Sequence, residues 1–164
     1  MTTTTPELHP YDVRDPARLI ADIAERVRLV EGTAHLALVR DVSSEQEVVR
    51  VDTLRLPAEI VDWHEGREEL RRVVEAWPVG FAPGRPRHTP ILVIVRPGLC
   101  VFGPNEAVWF LAERYANFLA NVWSVCDILV TDHGWLDFMT NEAGTTPAAL
   151  PRPQLPPATA WPDS

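Results

Sequence analysis

Five consecutive apolar residues, ILVIV at 91–95, constrain this chain more than any other feature of it. A strand with one face in water alternates polar and apolar residues, so an unbroken run rich in β-branched side chains predicts a strand covered on both faces. Layers of protein must therefore lie above and below it. After the run comes a Gly- and Pro-bearing loop, then an amphipathic stretch of helical spacing, then a second buried run, CDILVT at 126–131. That succession predicts a βαβ-type core.

The remainder of the chain supplies the cover. Asp15-Pro16 predicts a helix start, with Asp as N-cap and Pro at the first helical position. Leu19, Ile20, Ile23, Val27 and Val30 then recur at helical spacing as far as Gly32. Alternating β-branched residues over 34–40 and 47–56, around a polar turn, predict a β-hairpin. A second helix is expected over 62–77, and residues 78–90, with four prolines and two glycines, read as a loop. On the helix after the buried strand, Asn105 is the expected cap and Leu111, Ala112, Tyr115, Ala116 and Leu119 the expected buried stripe. Asp132-His133-Gly134 predicts a turn into a short strand over 135–139. The organisation expected is a flexible N-terminus over 1–14, a single α/β (α+β) domain over 15–141, and a Pro-rich disordered tail over 142–164.

Composition excludes several classes of function. A net charge of −8 argues against nucleic acid as a partner, and no apolar run approaches the roughly 18 residues that cross a bilayer. The N-terminus has neither a basic nor an apolar region of the secretory kind, which predicts a cytoplasmic protein. All 15 basic residues are arginine, so no lysine nucleophile or Schiff base is available. Cys100 and Cys126 lack CxxC spacing and are expected to remain thiols.

The order helix, hairpin, helix carrying R-E-x-L-R-R, strand, Pro/Gly loop, helix, D-x-[ILV]-[ILV] strand and G-W-x-x-F resembles the JAB/MPN metalloprotease-like fold, in particular its bacterial RadC-type branch. The resemblance covers roughly residues 16–139. Its matching pieces are Gly66-Arg67-Glu68, the strand and loop over 91–98, and the closing pair over 127–138. It implies a mixed β-sheet flanked by helices. The family's metal site is a His-x-His pair after the strand, a Ser and an Asp on the next helix, and a Glu on an earlier strand. Laid on this chain, the His pair falls on Ile94 and Arg96, the Ser on Pro104 or Asn105, and the Asp on Ala107 or Val108. None of these ligates zinc, so the resemblance implies a metal-less relative whose hydrolase activity does not carry over. No cofactor is implied.

Two functions from different classes follow. The first is a non-catalytic protein-binding or scaffolding module, with Arg96, Phe102, Trp109, Phe110 and Trp135 as the candidate partner surface. Trp109 lies off the expected helical stripe, which predicts partial exposure. The second is a metal-assisted hydrolase of peptidase or isopeptidase type, with displaced ligands drawn from His64, His88, Asp132 and His133. Each of these has a plainer reading: His64 opens a helix in solvent, and Asp132-His133-Gly134 is a good hairpin turn. Cys100, between Leu99 and Val101 with no evident base, reads as an inert thiol. Arg85, Arg87, His88 and Arg96 form the one basic cluster in the sequence. Arg96, leaving a buried strand, requires water or an acid, with Glu106, Asp127 and Asp132 as the available partners.

Overall fold

A computed structural model describes residue 9 and residues 11–78, 87–116 and 126–154. Its elements run α1 (Pro16–Ala24), β1 (Ala34–Arg40), β2 (Glu47–Thr53), α2 (Trp63–Ala76), β3 (His88–Val95), α3 (Pro104–Ala116), β4 (Cys126–Thr131), β5 (Gly134–Asp137) and β6 (Ala143–Gly144). The strands form one mixed sheet in the order β2-β1-β3-β4-β5-β6. Only β3 and β4 pair in parallel, as a strand–helix–strand connection through α3 demands. The expected hairpin is β1–β2, and its partner across the sheet is β3.

The run at 91–95 is central, wholly buried, and covered on both faces as expected. Ile91, Val93 and Val95 point to the layer built by Leu19, Ile20 and Ile23 of α1. Leu92 and Ile94 point the other way, to Leu70 and Val73 of α2 and Trp109, Ala112 and Ala116 of α3. α2 and α3 approach closely at Gly66, where an added Cβ would sit 2.9 Å from both the Ala112 Cβ and the Ile60 Cδ1. At the free edge of the sheet, Arg26 donates to the Val48 and Val49 carbonyls of β2, occupying acceptors that another strand would use.

Several boundaries differ from the sequence expectation. Asp15 caps α1 through the Arg18 N–H, but the helix ends at Ala24, and Leu29 is drawn into the core by the turn that follows. β3 begins at His88, because Thr89 and Pro90 extend the ladder with β1 opposite Val39 and Leu38. Residues 79–86 of the expected loop, Arg85 among them, lie outside the described residues. Arg87 pairs with Asp41, at the opposite end of β3 from Arg96, so these two arginines form no basic cluster.

The largest correction concerns residues 142–154, expected to be a disordered tail. Ala143–Gly144 adds β6 to the sheet, and the chain beyond it crosses the α1 layer. Thr146 accepts a hydrogen bond from the Trp135 indole (2.9 Å), Ala149 donates to Thr131 (2.8 Å), and Leu150 exchanges bonds with Leu29 and Glu31. Composition alone misses this segment, because backbone hydrogen bonds hold it and few apolar side chains do. Residues 155–164, with Trp161, lie outside the described residues.

Candidate functional site

β3 delivers Arg96 to the mouth of the loop that leads into α3, and its guanidinium binds that loop from within. Nε donates to the Glu106 carboxylate, the partner expected among the three acids considered. Nη1 donates to the Pro97 and Leu99 carbonyls (3.1 and 3.2 Å) and Nη2 to Val101 (2.8 Å). Glu106 is 1% exposed and its second oxygen accepts the Gly103 N–H at 2.9 Å. That last bond is the reach of an N3 glutamate back to the N-cap. Gly103 therefore caps α3, with Pro104 at N1, and the cap expected at Asn105 is corrected.

Asn105 works elsewhere. Its amide accepts from the Ile60 N–H (3.0 Å) and donates to the Ala58 carbonyl (2.9 Å), and the Trp109 indole donates to that same carbonyl (2.8 Å). α3 is thereby stitched to the segment before α2. On the loop's other side Asp132 accepts the Gly98 N–H (2.9 Å), where Gly98 adopts φ +103°. A side chain there would be strained.

A loop tied at this many points presents apolar side chains outward. Leu99 is 71% and Val101 61% exposed. Beside them Phe102, Phe110 and Phe138 form an aromatic cluster, with Phe138 at 4.5 Å from Phe102 and 6.0 Å from Phe110 between ring centroids. Phe110, Phe138 and Met139 are each exposed. Of the five residues expected to meet a partner, Phe102 and Phe110 belong to this surface and Arg96 supports it. Trp109 is fully buried, which corrects its expected exposure. Trp135 is also buried, on the α1 face of the sheet. Leu99, Val101 and Phe138 were missed, although Leu99-Cys100-Val101, an apolar triplet beside a glycine, carried a legible signal.

α3 faces the core with Glu106, Trp109, Ala112, Glu113 and Ala116, while Leu111 and Tyr115 are exposed; Leu119 lies outside the described residues. The expected stripe is thus rotated. The cause is that two of the inward positions are glutamates, which an apolar periodicity cannot count. Glu113 neighbours Asp127 of β4, and both are buried. Burial, joined by the neighbouring Asp127 charge, raises Glu113 well above the usual carboxylate range. Burial also raises Asp127 to about 6, with Asp137 and Glu106 pushing the same way and Glu113 opposing.

The residues considered for a displaced metal site do not converge. His88 is the first residue of β3, whereas Asp132 and His133 follow the last residue of the parallel β4. An eight-residue strand, at about 3.3 Å per residue, puts roughly 25 Å between them. His64 is exposed, pairs with Asp62 at 3.0 Å and stacks on Trp63. His133 pairs with its neighbour Asp132 at 3.3 Å. Among the described residues no group of three or more His, Cys, Asp or Glu is placed to hold a metal ion. Cys100 is half-buried, and burial pushes its thiol up, away from the reactive thiolate. Among the described residues no helix is long and apolar enough to cross a membrane. Comparison with protein-family models, with curated proteins and with solved structures finds no match for this chain.

Proposed function

We propose that this chain is a non-catalytic protein-binding or scaffolding module of JAB-like descent, working in the cytoplasm, and that it meets its partner through the 97–102 loop and the adjoining aromatic cluster. The observation that carries this reading is the pairing of a rigid loop with an outward apolar tip. Leu99 and Val101 are exposed while the carbonyls of Pro97, Leu99 and Val101 are all engaged by Arg96. A loop held from inside loses little conformational entropy on binding, and exposed apolar side chains on a preorganised support are what a protein interface uses. The JAB-like descent is supported by the order of helices and strands and by a mixed sheet with helices on both faces. Arg96 stands where that family places a zinc-ligating histidine. Its fixed charge, held by Glu106, is incompatible with a divalent cation at that point.

Leu99→Ser with Val101→Ser, compared with an exposed pair on the opposite face such as Arg18→Ser with Asp22→Ser, tests the reading. Proteins co-purifying with the native chain should be lost from the loop variant and retained by the control, with both melting as the native protein does. Retention by the loop variant would reject this surface as the docking site.

A further inference from the structure

A cleft of about 500 Å³ opens at the carboxyl end of β3, within the range of small-molecule sites. Four stretches far apart in the sequence wall it: Glu31-Gly32 before β1, Pro57 and Glu59 before α2, Arg96-Pro97 after β3, and Arg152 on the segment that follows β6. Their backbones are tied to one another. The Gly32 N–H donates to the Val95 carbonyl (2.8 Å), the Gly32 carbonyl accepts the Ala58 N–H (3.0 Å), and the Glu31 N–H donates to the Leu150 carbonyl (2.9 Å). Ala58, between the two lining residues Pro57 and Glu59, is fixed in turn by α3, since its carbonyl accepts from both Asn105 and the Trp109 indole. A cleft whose walls are bonded to one another holds its shape without a ligand, so little ordering is lost on binding.

One wall is built around an arginine. Arg152 Nε donates to the Glu31 carbonyl at 3.4 Å, and its guanidinium lies against Gly32, where any Cβ would collide with it. Gly32 also adopts φ +94°, so the position suits glycine on both counts. Among the described residues the Arg152 guanidinium has no carboxylate partner, and the Glu31 and Glu59 carboxylates have no cationic one. The three line one cleft without reaching one another. Arg96 adds no free charge, because Glu106 answers it. The cleft therefore offers one free cation and two free carboxylates, with the Pro57 and Pro97 rings as apolar lining.

We propose that this cleft binds a small zwitterion of the amino-acid class, its carboxylate on Arg152, its ammonium on Glu31 and Glu59, and its carbon skeleton against the two prolines. A guanidinium pairs a carboxylate through two parallel N–H donors, and an ammonium carries three donors, enough for two carboxylates. A phosphate-type anion would be repelled by the two acids, and a simple cation would leave Arg152 facing it. The zwitterion answers all three charges. The site goes beyond the docking surface and uses none of its apolar side chains.

The isotope-labelled native chain is titrated with L-leucine and with 4-aminobutyrate, which differ in the separation of their two charges, while the amide signals of Glu31, Gly32, Glu59 and Arg152 are followed. At least one should shift these signals saturably. Its N-acetyl and C-amide derivatives, each lacking one charge, should bind about tenfold more weakly or worse, as should inorganic phosphate and putrescine. Arg152→Gln should weaken the free amino acid by about tenfold and leave the C-amide form unchanged. Glu31→Gln with Glu59→Gln should weaken it to a like extent and leave the N-acetyl form unchanged. Glu59→Gln alone, at an exposed position, carries the second arm if the double variant melts below the native protein. No saturable shift with either compound up to roughly 10 mM would overturn the proposal. So would a shift confined to other residues, binding indifferent to the blocked ends, phosphate or putrescine binding as tightly as the amino acid, or a loss that does not follow the charge removed.

Discussion

Arg96→Ala removes the group that ties β3, the loop and α3 together, and its cost can be worked from what is left behind. Two effects compete. The carbonyls of Pro97, Leu99 and Val101 lose a donor, but these bonds lie at the exposed side of the loop, where water replaces them at about 0.5 kcal/mol each or less. Glu106 is different. It is 1% exposed and retains only the Gly103 N–H, so its charge stays buried without its counter-ion. Removing one member of a buried pair costs about 3–5 kcal/mol, and the guanidinium, 15% exposed, is buried enough for that figure to apply. The carboxylate dominates. Out of a total stability of about 5–15 kcal/mol, the loss should lower the urea midpoint by roughly 2 M without changing the slope. Glu106→Gln in the same background should recover most of it, because a neutral amide can still accept the Gly103 N–H. A loss under about 1 kcal/mol for Arg96→Ala, or additivity of the two substitutions within about 0.5 kcal/mol, would refute the reasoning, since either means that the pair is not coupled.

Truncation after Gly144 should cost more than about 2 kcal/mol in denaturant unfolding, because it removes the Thr146 acceptor of the Trp135 indole and the bonds of Ala149 and Leu150 to Thr131, Leu29 and Glu31. Gly66→Ala should destabilise by about 1 kcal/mol in the same assay: helix propensity gains about 1 kcal/mol, and overpacking against the Ala112 Cβ at 2.9 Å outweighs it. His35, between the Thr33 and Thr53 hydroxyls at 2.9 and 3.0 Å, should titrate near pH 4 by proton NMR, with a midpoint above 6 contradicting its burial.

Much of the fold was legible because it depends on patterns local to the chain. The run at 91–95 demanded cover on two faces, and it has α1 on one and α2 and α3 on the other. Asp15 announced its helix as an N-cap, since that cap is a bond between residues three apart. Arg96 announced that it needed an acid, because a charge leaving a buried strand must be answered within the fold. What could not be read were contacts decided by residues distant in sequence. Which acid answers Arg96 depended on where α3 begins, and that start is set by Gly103 and by Asn105 reaching back to Ala58 and Ile60. The buried face of α3 was misjudged because Glu113 is polar to any periodicity yet lies buried beside Asp127, on a strand that arrives fourteen residues later. Residues 142–154 looked like a tail because they bury little of their own side-chain surface. Their place in the sheet comes from backbone hydrogen bonds to β5, Leu29 and Thr131, donors and acceptors that every residue carries and that only the assembled sheet brings within reach.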